Sequence, residues 1–366
     1  MLPFLPPCCC FCSLVMKSVV LCLPPMAQSH VLAPFRIFKR SGNGGAINAP
    51  GRIEGGARMA YLYRVKSPEH PAQRLRELMR QRDIIVAPGV FDPISALIAE
   101  SVGFEAIYLS GAALTGSLAM PDLGIITFSE VFDAARRILE VVDLPMIVDT
   151  DTGFGEPLNV YRTVKELEEV GVAAVQIEDQ VMPKKCGHLS GKHVVPPEDM
   201  VKKIIAAKEA SRKDIVVIAR TDAREVEGLE AAIERANMYV EAGADVIFPE
   251  ALLSLDEFRE FARRVKAPLL ANMTEFGKTP YITVQEFKEA GYKFVIFPVT
   301  TFRAAIKAIK DTLLELKEKG TQKYILDRLM SRQEFYQLIG YYEYEKRDSE
   351  IAKKAERIVR SGASRT

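Results

Sequence analysis

The stretch PMIVDTDTGFGEPLNVYRTVKELEEVGVAAVQIEDQ, residues 145–180, decides the fold. Pro145–Asp149 is a short β-rich run ending in charge. Asn159–Val170 carries apolar residues at helical spacing, and Val-Gly-Val after Glu169 stops that helix with glycine near its C-cap. Ala174–Ile177 is a second β-rich run, again ending in acidic residues. A strand, an amphipathic helix and another strand of the same kind predict parallel strands covered by the helix.

The same alternation extends in both directions. From Asp83 onward the strand runs are Ile84–Ala87, Ala106–Leu109, Pro145–Asp149, Ala174–Ile177, Val216–Arg220, Val246–Phe248, Pro268–Ala271 and Phe294–Phe297. Helical patterns between them include Asn159–Val170, Glu198–Ala210, Leu229–Ala242, Leu255–Val265 and Val284–Ala290. Eight strands alternating with helices over about 240 residues predict an α/β fold of the (β/α)8 TIM-barrel type. A doubly wound open sheet is the rival, but no Gly-x-Gly-x-x-Gly follows the first strand. Beyond Thr301 the pattern stays helical for about sixty residues, more than a last barrel helix needs. Phe335, Leu338, Ile339 and Tyr342 form one apolar stripe there, expected to pack on the barrel or on a partner subunit.

Composition sets the outer limits. The 366 residues hold 49 basic and 48 acidic side chains, which argues against a polyanion binder. Five of the six cysteines (Cys8, Cys9, Cys10, Cys12, Cys22) and a local charge of +5 lie before residue 59, leaving −4 for the rest of a chain whose total is +1. Residues 1–58 show no sustained period. Clustered prolines and Lys17 within the apolar run disfavour a signal peptide or a spanning helix. The cysteines are too tightly spaced for an ordinary zinc site. The favoured expectation is upstream sequence translated from a misplaced start, with Met59 as the working start. Three parts are therefore expected: a non-globular extension at 1–58, the barrel at 59–320 and a helical tail at 321–366.

Active-site side chains in such a barrel sit at the C-terminal ends of the strands. Those ends read Tyr108-Leu109-Ser110-Gly111-Ala112, Asp149-Thr150-Asp151, Glu178-Asp179-Gln180, Arg220-Thr221-Asp222, Pro249-Glu250 and Asn272-Met273-Thr274-Glu275. Asp149 and Asp151 lie two apart at one strand end, with Glu178 on the next strand and Asp122 in a loop. Crowded carboxylates repel unless a cation or a proton sits among them, and hard oxygen donors suit Mg2+ or Mn2+. Against this stands an ordinary polar turn held by side-chain to backbone bonds. Lys184-Lys185-Cys186-Gly187-His188 holds the body's one cysteine. Cationic neighbours are expected to lower its thiol pKa from about 8.5 toward neutrality, fitting it for proton transfer. Gly187 and Gly191 are expected to act as hinges of a closing lid. Arg220, Arg303 and Arg332 would suit a small polycarboxylate, although Arg303 and Arg332 also read as ordinary surface arginines.

Val148 to Gly155, Ile177 to Gln180, Lys184 to His188, Leu270 to Gly277 and Gly320 to Lys323 resemble signatures of the isocitrate lyase / phosphoenolpyruvate mutase superfamily. The resemblance covers Pro71 to Ala355, and the Lys-Lys-Cys-Gly-His element points to the lyase branch. It implies cleavage of (2S,3R)-2-methylisocitrate to pyruvate and succinate with Mg2+ in propionate breakdown. By resemblance, Asp149 and Asp151 would hold the metal, helped through water by Asp122 and Glu178. Ser110, Gly111 and Ala112 would grip the pyruvate-like end. Cys186, Gly187, Arg220, Glu250, Asn272, Met273, Thr274, Arg303 and Arg332 would complete the substrate site. Cys186 would donate the proton, with Lys184, His188 and Arg220 offsetting charge; the base would be Tyr108 or a metal-activated group. Isocitrate lyases resemble the chain near Cys186 but usually carry tryptophan where Phe248 stands, and this sequence has none. Isocitrate cleavage, a dual-specificity lyase and a non-catalytic metabolite-binding barrel are the alternatives. The resemblance also implies a cytoplasmic homotetramer, a dimer of dimers exchanging C-terminal helices, that engages neither nucleic acid nor membrane.

Overall fold

Eight parallel strands follow one another around a barrel: β1 (Ile85–Val90), β2 (Ile107–Leu109), β3 (Met146–Asp149), β4 (Ala174–Glu178), β5 (Val216–Thr221), β6 (Val246–Pro249), β7 (Leu270–Asn272) and β8 (Phe294–Phe297). The computed structural model describes residues 64–363, so the expectations about residues 1–58 lie outside the described residues. β1 pairs with both β2 and β8, and the other ladders follow chain order. β6 and β7 meet at a single bridge, Ile247 to Leu269, where Ile247 N donates to Pro268 O at 3.0 Å. This is the (β/α)8 barrel expected from the strand and helix pattern.

The helices enclose the strands. α1 (Pro71–Gln81) precedes β1, and α2 (Pro93–Ser101) follows it. α3 (Gly111–Ser117) and α4 (Phe128–Val141) follow β2; α5 (Pro157–Glu169) follows β3; α6 (Pro197–Ala210) follows β4. α7 (Ala223–Val226) and α8 (Leu229–Glu241) follow β5, with α9 (Leu255–Arg264), α10 (Val284–Glu289) and α11 (Thr300–Lys319) after the last three strands. Their starts are written locally: Thr127 and Glu130 form a capping box for α4, and proline opens α1, α2, α5 and α6.

Alternation along each strand separates two cores. Val148, Val175, Val217 and Ile247 face outward into the layer beneath the helices. Ile147, Ala174, Val216, Ile218, Val246 and Phe248 face the barrel interior. The same inward parity carries forward to Asp149, Glu178, Arg220 and Glu250, so one periodicity builds an apolar floor and a charged rim. β8 keeps its expected bounds, and the other strand ends move by up to three residues. β1 shows the largest change, because Val90 still pairs with Leu109 of β2.

The regular alternation begins at Asp83 in the sequence and gives no warning of α1. Its fully buried Leu75 joins the interior core with Ile85, Ala106, Ala173 and Val216. Arg76 donates to Asp214 O at 2.9 Å and to Asp245 at 3.0 Å, just before β5 and β6. α1 therefore plugs the N-terminal end of the barrel.

The expected single stripe in the tail is corrected. α12 (Arg332–Ile339) ends at Gly340, whose φ of +70° is a left-handed stop, and α13 (Tyr341–Ala363) begins a new direction. Leu338 and Ile339 pack on the outer core, whereas Phe335 is exposed and Tyr342 belongs to the next helix. Tyr336 and Tyr341 stack at 4.2 Å across the corner.

Candidate active site

The acidic side of the rim is built by β3, β4 and the loop after β2. Asp149 Oδ1 accepts from Asp151 N and from Gln176 Nε2, both at 3.1 Å, while Oδ2 accepts from Gly111 N at 3.3 Å. Asp151 sits in a left-handed turn, φ +48°, that swings its carboxylate back beside Asp149. The Lys184 ammonium stands 2.7 Å from Asp151 Oδ1 and also pairs with Asp122. Burial pushes Asp151 up to about 6, with Asp149 and Asp122 adding repulsion against the pull of Lys184. Burial opposes the charge on Lys184, but Glu178, Asp151, Asp122 and Asp149 outweigh it and hold the ammonium above its ordinary range. All four acidic residues expected at a metal therefore surround one lysine.

Glu178 lies 3.1 Å from the Arg220 guanidinium, and burial raises its carboxyl well above the usual range. Neither Glu178 oxygen, nor Asp151 Oδ1, has a hydrogen-bond partner. Arg220 pairs with Glu178 at 3.1 Å and Lys184 with Asp151 Oδ1 at 2.7 Å, so these oxygens are compensated by ion pairs. Buried carboxylate oxygens are the donor set a hard divalent cation takes. Among the described residues, no three His, Cys, Asp or Glu side chains converge as a cage.

The Cys186 loop covers the other side. Its base is pinned by a short antiparallel contact: Val181 N donates to His193 O, and Val195 N to Asp179 O, both at 2.8 Å. Gln180 clasps the turn, donating to Lys185 O at 2.8 Å and accepting from Lys185 N at 2.9 Å. The expected drop in the thiol's pKa is not found. Burial raises it, with the negative Glu250 adding to that, against a bond from the His188 backbone and the pull of Arg220. The cations that motivated the expectation are spent elsewhere: Lys184 on carboxylates, Lys185 on Gly191 O at 2.9 Å. Gly187 is also not a free hinge. A Cβ there would lie 2.3 Å from Glu250 Cγ and 2.6 Å from an Arg220 nitrogen, so glycine permits backbone to sit on the charged floor.

That floor is Arg220 and Glu250. Arg220 forks onto Asp222 at 2.9 and 3.1 Å, reaches Glu250 at 3.5 Å and lies 5.3 Å over the Phe248 ring. Burial would raise Glu250, but Arg220, His188 and Lys192 outweigh it and keep the carboxylate charged. His188 Nδ1 accepts from Lys278 N at 3.0 Å, which leaves Nε2 to donate to Glu250 across 3.0 Å. Asn272 Nδ2 donates to Glu250 at 3.2 Å, while its buried Oδ1 has no partner.

The remaining candidates divide. Ser110 caps α3 by accepting from Ala113 N at 3.2 Å, and Gly111 and Ala112 open that helix beside Asp149. Met273 and Thr274 are buried after β7. Arg303 donates to Glu275 O at 2.6 Å and lies 5.4 Å over Phe276, at the outer edge. Arg332 is exposed in the first turn of α12, and no bond among the described residues joins it to this site. Tyr108, one of the two expected bases, is bonded within the rim. Its hydroxyl donates to Gln176 Oε1, and burial with the charge of Asp149 holds its pKa well above 10. Through Gln176 the phenol steadies Asp149.

Gln176 and Lys192 escaped the sequence reading, and Asp179 and Asp222 were legible only as strand ends without a role. Gln176 had a signal, since it shares the inward parity of Glu178. Asp179 accepts from Thr221, Asp222 N and Tyr239 at 2.8–2.9 Å and is pushed up to about 6 by burial and Asp222.

A barrel with carboxylates, an arginine and a protonated thiol on its C-terminal rim has the equipment of an enzyme acting on small carboxylates. The family model described as phosphoenolpyruvate phosphomutase matches residues 75–317, and the chain belongs to that family, within its 2-methylisocitrate lyase branch. A 2-methylisocitrate lyase of Aeropyrum pernix is 68% identical over 309 residues, covering 84% of this chain and 100% of that one. The crystal structure of 2,3-dimethylmalate lyase is similar with a TM-score of 0.73 and 39% identity, over 78% of this chain and 96% of its own. Phosphonopyruvate hydrolase, solved with oxalate and Mg2+, matches at TM-score 0.70 and 30% identity, over 76% and 98%.

Proposed function

We propose that the chain cleaves 2-methylisocitrate to pyruvate and succinate, using Mg2+, with Mn2+ as the alternative. The observation that carries this reading is the Cys186–Gly187 turn lying against Glu250 and Arg220, beside the ring of Glu178, Lys184, Asp151 and Asp149. Asp149 and Asp151 would hold the metal, with Asp122 and Glu178 behind water. When bound, the ion polarises the oxygen that becomes the pyruvate carbonyl.

The chain's own residues supply the remainder. Gly111 and Ala112, at the start of α3, orient the pyruvate-like end by backbone N–H, and Ser110 by its hydroxyl. The base, Tyr108 or a metal-activated group, would take the C2 hydroxyl proton; the carbonyl forms as the C2–C3 bond breaks, and the bonding pair stays on C3 as an aci-carboxylate. Cys186 Sγ–H delivers its proton to C3, giving succinate. Lys184, Arg220 and His188 Nε2–H offset the charge that develops before that transfer. Asn272 Oδ1 and Nδ2, Met273 and Thr274 bound the succinate side; Arg303 and Arg332 would complete it from the outer edge. Phe248 leaves room for the substrate's methyl group, which discriminates by about 1–3 kcal/mol.

Among the described residues, no helix is long and apolar enough to cross a membrane. The proposal includes a cytoplasmic homotetramer, a dimer of dimers. The exposed Ile306, Ile309, Leu313 and Leu314 on α11, and Ile351 and Ile358 on α13, support an apolar association of subunits. The deciding assay measures pyruvate, glyoxylate and succinate released from 2-methylisocitrate and from isocitrate, with Mg2+ and with EDTA. Expected are pyruvate and succinate, higher kcat/KM for the methylated substrate and silence in EDTA. Preference for isocitrate, or binding without turnover, would replace this reading with an isocitrate lyase or a metabolite-binding barrel.

A further inference from the structure

Lys192 has no place in the chemistry above, yet its side chain has no solvent exposure. Its ammonium donates to Gly187 O, stands 2.8 Å from Asp222 Oδ1 and lies 3.2 Å from Glu225 Oε2. Each partner leads to the site. Gly187 follows Cys186 directly. Asp222 holds the Arg220 fork and is itself fixed by Asp222 N donating to Asp179 at 2.9 Å. Glu225 pairs with Lys278, which bonds Ser190 Oγ at 3.1 Å and gives its backbone N–H to His188 Nδ1. A buried ammonium is tolerated only where charge and hydrogen bonds compensate it, and here they come from two segments of chain, the Cys186 loop and the passage from β5 into α7.

We infer that Lys192 is a positioning residue that locks the Cys186–Gly187 turn to Asp222, and through it sets the thiol at a fixed place relative to Arg220. The inference deepens the proposed lyase reading, because it assigns a task to the thiol's support rather than another role to the thiol. His188 ties the loop to Glu250, but at the Cys186–Gly187 turn itself Gly187 rests on the floor by a contact that excludes a side chain and supplies no directional bond. The lysine provides that direction. Its ammonium stays charged because Asp222 and the more distant Glu250 outweigh the burial that opposes it.

Three readouts on the full-length protein test this. Lys192→Met keeps the stem and removes the charge; kcat is expected to fall by about 30-fold or more while KM moves less, since misplacing a reacting group acts mainly on the chemical step. Iodoacetamide labelling of Cys186, followed by peptide mass mapping so that the other cysteines do not interfere, should change by about fivefold or more as the turn loosens. Lys192→Ala should regain part of its kcat with ethylammonium but not with propanol, which fills space without charge. A variant within about twofold of wild type in both kcat and labelling overturns the inference, as does equal rescue by propanol. If wild type does not cleave 2-methylisocitrate, the lyase reading fails alone, because labelling still reports whether Lys192 fixes the turn. Should both variants fail to fold, Glu225→Gln weakens the same ammonium from its outer side. It should raise Cys186 labelling by about two- to threefold, and unchanged labelling counts against the lock.

Discussion

The two ends of the barrel interior are made by the same strands and obey opposite rules. At the N-terminal end Ile85, Ala106, Ala173 and Val216 close over Leu75 in a dry layer. Two steps further along β3 to β6, the inward positions are Asp149, Glu178, Arg220 and Glu250, also buried but charged. The lower layer gains from burial, whereas the upper layer tolerates burial because each charge has an opposite within reach. Stability and chemistry are thus separated along the strand axis, and substitutions at the two ends should produce different defects.

The largest separation should come from Cys186→Ser. Turnover is expected to fall by about 10³-fold, with substrate or product binding kept and unfolding unchanged. Near-normal turnover would remove the thiol as donor. Because burial holds that thiol above its ordinary range, wild-type kcat should stay level through neutral pH and fall only above about pH 8.5. A titrating fall centred below neutrality would mean the loop's cations control it after all.

Arg220→Met should damage both properties. It leaves Glu250 and Asp222 without their guanidinium, at a cost of about 3–5 kcal/mol in denaturant unfolding, and abolishes turnover. Leu75→Ala is the matching variant at the other end. It should cost about 2–5 kcal/mol by opening a cavity under the barrel, with kcat retained at temperatures where the variant stays folded. A large kcat loss in Leu75→Ala would break the separation of the two ends.

The smallest effect concerns a carboxylate at the structural end. Glu168, just before α5 ends, accepts from Arg212 N, Lys213 N and Ser211 Oγ at 2.7–2.9 Å, and holds the turn into β5. Burial works against its charge, but those bonds prevail and its pKa is lowered. Its stabilisation is therefore present above the unfolded value of about 4.3 and is lost as pH falls through the lower folded value. Glu168→Gln should cost about 1–3 kcal/mol at neutral pH and flatten the acid limb of the stability curve, measured by urea unfolding. An unchanged acid limb would show that Glu168 is not the group responsible.

The barrel was legible because its evidence is local: each strand run ends in a turn signal and each helix shows its apolar face. α1 was not, since Leu75 and Leu78 stand in a polar helix, and the burial of Leu75 depends on residues at or just before the starts of β1, β2, β4 and β5. The acidic pair and Glu178 could be read from strand parity. Lys192 could not, because nothing local distinguishes a buried lysine from the exposed ones until Asp222 and Gly187 are brought to it. The thiol's pKa was misjudged for the same reason: adjacency along the chain was taken for adjacency in space, and Lys184 turns toward Asp151. The break at Gly340 had a local signal, a glycine between Ile339 and Tyr342, that the expectation of a single stripe passed over.

The single bridge between β6 and β7 gives the cylinder a seam. Glu250 and Asn272 sit at its upper end, one on each side, and their 3.2 Å bond fastens the two edges where the strands do not. The same two side chains are thus offered to the ligand and to the closure of the wall. An organism altering the specificity of this enzyme has little freedom there, because a change that reshapes the site also loosens the join. New substrate range should therefore arise first on the opposite side of the ring, where continuous ladders leave the walls indifferent to what the rim carries.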